Sequence, residues 1–332
     1  MRSVVQFLFV VLLSVAPAMA EGLCTDYSGL PQGFPEPKAG MVKITGGMLR
    51  MGDTRFYPEE RPVRDVRVGD FWIDRHEVTN AQFAAFVAAT GYRTSAETGL
   101  AEGEYPMLPA DLRVPGSMVF VPPSGVLDRM DPGLWWQYVP GADWRHPTGP
   151  GSSIAGHGAD PVTQVSYADA KAYARWRGAS LPSEAEWEWA ARGGGQGLAF
   201  AWGEAAELAA PKANFWQGFF PLFDAANDRY PGLAPVGCFP ANGYGLQDMV
   251  GNVWEWTQDL WQDSHDNVPG SAEQAGPAHP QLPYSRVIKG GSWLCASNFC
   301  GRFRPAARQP AETELGSTHI GFRTVIRLDG SP

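Results

Sequence analysis

Asn242–Trp256 reads NGYGLQDMVGNVWEW, and Arg286–Arg308 reads RVIKGGSWLCASNFCGRFRPAAR. Glycines interrupt both stretches, and aromatic residues fill the gaps. Such spacing leaves little room for a long helix or a regular sheet. Glycine admits left-handed backbone, so the stretches read as ordered turns packed by aromatics. The rest of the chain has the same character. Of 332 residues, 39 are glycine, 29 proline and 13 tryptophan. Glycine and proline together make about a fifth, below the ~25–30% of low-complexity sequence. Apolar residues are 44% and charged residues 18%, enough to bury a core. This composition argues against a helical bundle, a coiled coil and a doubly wound sheet. A net charge of −9 without a basic run argues against nucleic acid as a partner.

Outward from these stretches, Met1–Ala20 reads as a secretory signal peptide. Arg2 gives the positive start, Val4–Val15 the apolar run, and Ala18-Met19-Ala20 the cleavage site. No later stretch approaches the ~20 apolar residues of a membrane span. The chain is therefore expected to be exported, periplasmic or secreted, with its thiols in an oxidising compartment. Residues 21–40 read as a Pro/Gly-rich N-terminal arm, and 41–328 as a single domain. Within it, Met41–Gly52 and Val66–Val78 read as strands. Helices are expected after three capping boxes, Thr79-x-x-Gln82, Ser166-x-x-Asp169 and Ser183-x-x-Glu186, with stops at Gly91, Gly178 and Gly193. Residues 92–160 read as a long polar loop region, 195–290 as turns and short strands, and His319–Leu328 as a final strand.

The four cysteines are Cys24, Cys238, Cys295 and Cys300, the last two forming C-x4-C. In an exported protein this spacing is compatible with two disulfides, one closing a small Cys295–Cys300 loop. Structural zinc is weaker, because four N/S ligands are needed and no His/Cys pair lies nearby. A third reading is a two-thiolate site for a soft ion such as Cu(I).

Seven stretches, in order, carry a resemblance. They are GADWRHPTGPGSSI (141–154), PVTQVSYADAKAYARWRG (161–178), LPSEAEWEWAARGG (181–194), FAWGE (200–204), ANFWQGFFP (213–221) and the two quoted first, followed by GFR at 321–323. The chain resembles the formylglycine-generating enzymes, or sulfatase-modifying factors, over roughly Met41–Ile326. The family is similar in fold to C-type-lectin-like domains, so the resemblance implies an α+β, loop-rich fold with little regular secondary structure. Related proteins that use non-haem iron carry H-x3-H-x-E, and the six histidines here do not have that spacing.

The resemblance implies an O2-dependent oxidoreductase. It would convert a cysteine in a sulfatase-type Cys-x-Pro-x-Arg segment to Cα-formylglycine, a post-translational modification that matures sulfatases. It further implies that Cys295 and Cys300 hold Cu(I) beside the substrate thiolate, that Ser292 lines the site and that Trp254 walls it. Two structural Ca2+ sites are implied. One uses Asn214 and Asp228 with the carbonyls of Phe215 and Tyr230. The other uses Asp248 and Glu255 with the carbonyls of Gly251 and Val253. Oxygen clusters of this kind suit a hard cation. Two positions depart from the family pattern: Phe299 stands where tyrosine is common, and His319 where asparagine is expected. Eukaryotic members carry two disulfides whose positions correspond to Ala174 with Thr324 and Ala191 with Pro305. With those absent, Cys24 and Cys238 are expected to pair. The implied partner is an unfolded sulfatase-type polypeptide, and the expected state a monomer. Two other readings stay open: a non-catalytic lectin-like binding or maturation module, and the same oxidase chemistry on another exported substrate.

Overall fold

A computed structural model describes residues 36–100, 113–123, 125, 129–204, 212–265 and 285–328. The expected signal peptide and most of the expected arm, with Cys24, lie outside the described residues. Cys238 is disulfide-bonded, whereas Cys295 and Cys300 are free. Among the described residues, no helix is long and apolar enough to cross a membrane.

In chain order the elements are β1 (Met41–Ile44), β2 (Gly47–Met51), β3 (Arg64–Val68), β4 (Phe71–Asp74), α1 (Asn80–Thr90), α2 (Ser95–Thr98), β5 (Gly116–Phe120), β6 (Trp136–Pro140), α3 (Tyr167–Trp176) and α4 (Glu184–Ala191). Then come β7 (Gly218–Phe219), β8 (Phe223–Asp224), β9 (Trp254–Leu260), β10 (Ser285–Lys289), β11 (Arg308–Glu312), β12 (Ile320–Gly321) and β13 (Val325–Arg327). One sheet has the order β1-β4-β13, a second β11-β10-β9-β12, and β2-β3, β5-β6 and β7-β8 are separate pairs. Among the described residues, short strands and four α-helices joined by ordered turns make an α+β, loop-rich fold, as the glycine and proline content implies.

The helices start where their capping boxes place them. Thr79 accepts from Gln82 N–H while Gln82 Oε1 accepts from Thr79 N–H, and Ser166/Asp169 and Ser183/Glu186 do the same. Each box satisfies two amide donors that a helix start otherwise leaves open. Gly91 ends α1 in the left-handed region at φ 66°. A fourth box, Thr94/Glu97, starts the short α2 inside the stretch read as loop.

Three strands expected from sequence are each two. Met41–Gly52 breaks at Thr45-Gly46, where Gly46 N–H bonds Asp70 Oδ1 at 2.8 Å. Val66–Val78 breaks at Gly69-Asp70, the other half of that contact. His319–Leu328 breaks because Arg323 and Thr324 leave the ladder for buried carboxylates of Glu255 and Asp74. Residues 92–160 contain the β5-β6 hairpin as well as loop. Strand β11 escapes a sequence reading because it contains Pro310, which a sheet tolerates at an edge, where β11 lies.

Among the described residues, three apolar clusters form the core. One packs α1 and α3 with Trp254, Trp256, Ile288, Cys295 and Cys300. One packs Trp187, Ala190 and Ala191 of α4 against Leu49, Phe71, Ile73 and Val325. The third gathers Phe120, Trp135, Trp216 and Phe220 against Leu294 and Ala296. The cysteine loop is therefore wedged between two aromatic clusters.

Candidate metal centre

Strand β10 delivers the chain to Gly290-Gly291, both with positive φ. A Cβ on Gly291 would fall 2.9 Å from the Arg302 backbone, so the chain can double back only with glycine here. Ser292 then shapes a turn: its carbonyl accepts from Cys295 N–H at 2.9 Å and its hydroxyl from Leu294 N–H at 3.3 Å. Ala296 carbonyl accepts from Cys300 N–H at 2.9 Å and closes the C-x4-C loop. The flanks are tied down by Trp216 N–H to Cys295 carbonyl and by Trp293 N–H to Asn252 carbonyl.

This brings the two sulfurs together at 2.6 Å, both buried. The hydrogen bond from Cys295 lowers the Cys300 thiol to about 7, with the nearby Arg302 guanidinium adding to it. Burial pushes Cys295 well above the ordinary thiol range, and its hydrogen bond and charge contact with Cys300 add to that. The two shifts run in opposite directions, so Cys300 gives up its proton before Cys295 does. A thiolate is both the nucleophilic and the metal-binding form. Two converging soft donors in a water-poor pocket fit a soft monovalent ion such as Cu(I). Trp254 is 1% exposed and packs in the same cluster as both cysteines. Ser292 sits at the loop's entry, its hydroxyl engaged in the turn. Beside Trp293, a cavity of about 320 Å3 is lined by Ser152, His157, Asp160, Leu233 and Thr318, among others.

Arg302 carries no sequence signature of its own. It is held by Glu59 at 2.6 Å and lies over the Tyr57 ring at 3.7 Å. Its charge favours the Cys300 thiolate, so Arg302→Met should raise that thiol. A one-unit rise from about 7 would cut the thiolate fraction at pH 7 about fivefold. Iodoacetamide labelling of Cys300 in the reduced protein should slow accordingly, and an unchanged rate would rule out the charge effect. His319 is partly exposed, and desolvation of its ring pushes it down to about 3 and favours the neutral form. Its Nδ1 lies 2.7 Å from Ser317 Oγ, and its ring packs on Trp136.

The expected calcium residues are also brought together. Asn214 Nδ2 donates to Asn252 Oδ1, and Asn252 N–H to Asn214 carbonyl at 2.8 Å, so the two sets are neighbours. Among the described residues, Asn214 Oδ1 is buried without a hydrogen-bond partner. Asp228 is pushed up to about 6 by burial. An unpartnered buried carbonyl oxygen beside a desolvated carboxylate fits a hard cation. In the second set, Asp248 is pushed up to about 6 by burial, but Glu255 is fully engaged by Arg323 and Trp187. As an ion-pair partner Glu255 fits a cation less well. Among the described residues, Glu77 Oε2 nearby is buried without a hydrogen-bond partner. Glu77 went unread in sequence because its link to Asn252 spans 175 residues. Among the described residues, no three His, Cys, Asp or Glu side chains gather as a metal site. Both expected calcium sets would draw on backbone carbonyls as well as carboxylates.

Comparison with known proteins gives this geometry its context. The family model described as "Sulfatase-modifying factor enzyme 1-like domain" matches residues 27–328. "Formylglycine-generating enzyme" of Mycobacterium tuberculosis (strain ATCC 25618 / H37Rv) is 50% identical over 292 residues, 86% of this chain and 97% of that protein. The protein of the same name from Thermomonospora curvata is 45% identical over 305 residues, 89% of this chain and 96% of its own length. Among solved structures, PvdO from Pseudomonas aeruginosa superposes with a TM-score of 0.57 at 26% identity, covering 87% of this chain and 94% of that one. With the match running from the arm to the last strand, the chain belongs to the sulfatase-modifying factor enzyme 1-like (formylglycine-generating enzyme) family.

Proposed function

We propose that this protein is a formylglycine-generating oxidase. It would convert a cysteine in a Cys-x-Pro-x-Arg segment of an exported, unfolded sulfatase-type polypeptide to Cα-formylglycine, with O2 as oxidant. The observation that carries the reading is the buried, unbridged Cys295/Cys300 pair, in a chain half identical to a protein named for that activity. Cu(I), held by Cys295 and Cys300, would supply a soft anchor for the substrate sulfur and a partner for O2. The chain's own residues do the rest. Arg302 favours the Cys300 thiolate, and Ser292 and Trp293 fix the loop. Trp254 and the surrounding apolar cluster exclude water, and the cavity beside Trp293, two residues before Cys295, offers room for part of the substrate chain. Holding the substrate there makes its reaction with O2 an oriented one. We place the activity in a single domain, 41–328, acting as an exported monomer.

The test loads the reduced protein with Cu(I), supplies a Cys-x-Pro-x-Arg peptide in air, and follows peptide mass. Conversion of the thiol side chain to an aldehyde lowers the mass. A peptide of unchanged mass would sink the proposal.

Calcium is proposed at the Asn214, Phe215, Asp228 and Tyr230 set, and at Asp248, Gly251, Val253 and Glu255 with Glu77 adding its Oε2. The sign of its pH dependence follows from the raised carboxyls. A folded-state pKa above the unfolded value stabilises the metal-free protein below the unfolded pKa. That contribution is lost as pH rises through about 6 for Asp228 and Asp248. Calcium binds the ionised form, so it should restore stability on the alkaline side. At saturating calcium the Tm should rise by about 5 °C or more at pH 7.5 and by much less at pH 5. Matching melting curves with calcium and with chelator would remove the structural-calcium proposal.

A further inference from the structure

The β7-β8 hairpin holds two phenylalanines out in solvent: Phe219 is 58% exposed and Phe223 62%. They are direct cross-strand neighbours, so their rings share one face. Leu222 in the turn and Phe299 in the cysteine loop are each 40% exposed. Contiguous exposed apolar surface of this kind marks an interaction site more often than chance exposure.

The hairpin is not a loose tip. Trp216 Nε1 donates to Phe223 carbonyl at 2.8 Å, and Asp224 Oδ1 accepts from Gln217 and Ala226 N–H at 2.9 and 3.0 Å. Nor is it separate from the cysteines. Buried Phe220 stacks on Phe299 with ring centroids 4.5 Å apart. Asn298, from the same loop, accepts from Phe220 N–H and donates to Phe220 carbonyl. The edge of Trp135 closes against Phe299. Buried Phe220 therefore ties the residue next to Cys300 to the hairpin that carries the exposed rings.

We infer that this surface receives an apolar flank of the substrate polypeptide, adjoining the reacting cysteine. The inference rests on the oxidase reading above. Continuity selects the occupant: whatever covers Phe299 lies against the C-x4-C loop, where the substrate segment has to sit. A second copy or a lipid surface in that place would obstruct the loop. The chemistry it would recognise is aliphatic or aromatic side chains in an extended chain. An unfolded exported polypeptide presents these, and a folded one buries them.

The test measures binding separately from turnover. Two labelled peptides carry the same Cys-x-Pro-x-Arg centre, one with leucine and phenylalanine flanks and one with serine flanks. Fluorescence anisotropy under nitrogen gives each Kd for the reduced full chain and for the double variant Phe219→Ser, Phe223→Ser. The wild type should prefer the apolar flanks by about tenfold, and the double variant should lose that preference. Both sites are exposed, so folding of the variant is checked simply by its Tm. A preference that survives in the variant, or one absent from the wild type, overturns the inference. So does a variant that alters only self-association or vesicle binding. A flank preference without peptide oxidation in air would instead count against the oxidase reading alone.

Discussion

In a Cys300→Ser variant, formylglycine formation on a Cys-x-Pro-x-Arg peptide is expected to fall by at least ~100-fold. Loss of a residue that merely supports a metal ligand already costs ~10–100-fold, and Cys300 is the proposed ligand itself. Serine keeps nearly the same volume, so the buried cluster around the loop should hold. What changes is the donor: a hydroxyl stays protonated at neutral pH and is hard, whereas a soft ion wants thiolate. Cys295→Ser should do the same damage. Burial pushes the Cys295 thiol well above its ordinary range, so loading Cu(I) has to drive off its proton. Copper uptake should therefore release protons and strengthen as pH rises. Chelator competition for Cu(I), run beside the peptide assay, checks both points. The competing lectin-like reading makes opposite forecasts. A structural Cys295–Cys300 disulfide would give a wild type without turnover, and a serine variant destabilised by about 2–4 kcal/mol. Wild-type turnover by either serine variant would exclude the two-thiolate site.

How far the sequence could be read follows from how local each feature is. The three main helices were legible because a capping box lies within four consecutive residues and declares itself. The C-x4-C pair was legible for the same reason. Strand breaks at Gly46 and Gly69 were not, because each depends on the other across a hairpin. The helix α4 is the clearest case. Its EAEWEWAAR pattern marks a helix but gives no sign that Glu184 and Glu188 are buried, as they are. Glu184 meets Arg308 at 2.8 Å, and Glu188 meets Lys289 at 3.1 Å, partners more than 100 residues away. Arg302 and Glu77 escaped likewise: their meaning lies in a thiolate and an amide that only the fold brings near. Aromatic content told of packing without saying which rings stay outside, so Phe219 and Phe223 looked no different from core.

Removing the Glu60 carboxylate should be the most destabilising single change near the site. Glu60 and Arg304 form a two-pronged ion pair, with Arg304 Nη1 2.9 Å from Glu60 Oε2 and Nη2 on Oε1. Both side chains are at most 1% exposed. Breaking a buried pair from one side costs about 3–5 kcal/mol, because the surviving charge stays desolvated. For a domain of this size that is a Tm loss of roughly 6–15 °C. Glu60→Leu should show it in a thermal scan. The double variant Glu60→Leu, Arg304→Met should recover most of the loss, since replacing both charges with apolar groups is often close to neutral. The function should not recover in step. Arg304 Nε also donates to Gly301 carbonyl at 3.0 Å, one residue past Cys300. With methionine there, the end of the cysteine loop loses its anchor, so copper affinity should stay lower in the double variant while its Tm returns. If stability and copper affinity were restored together, the pair would be ordinary core and the loop would be held by its turn hydrogen bonds alone.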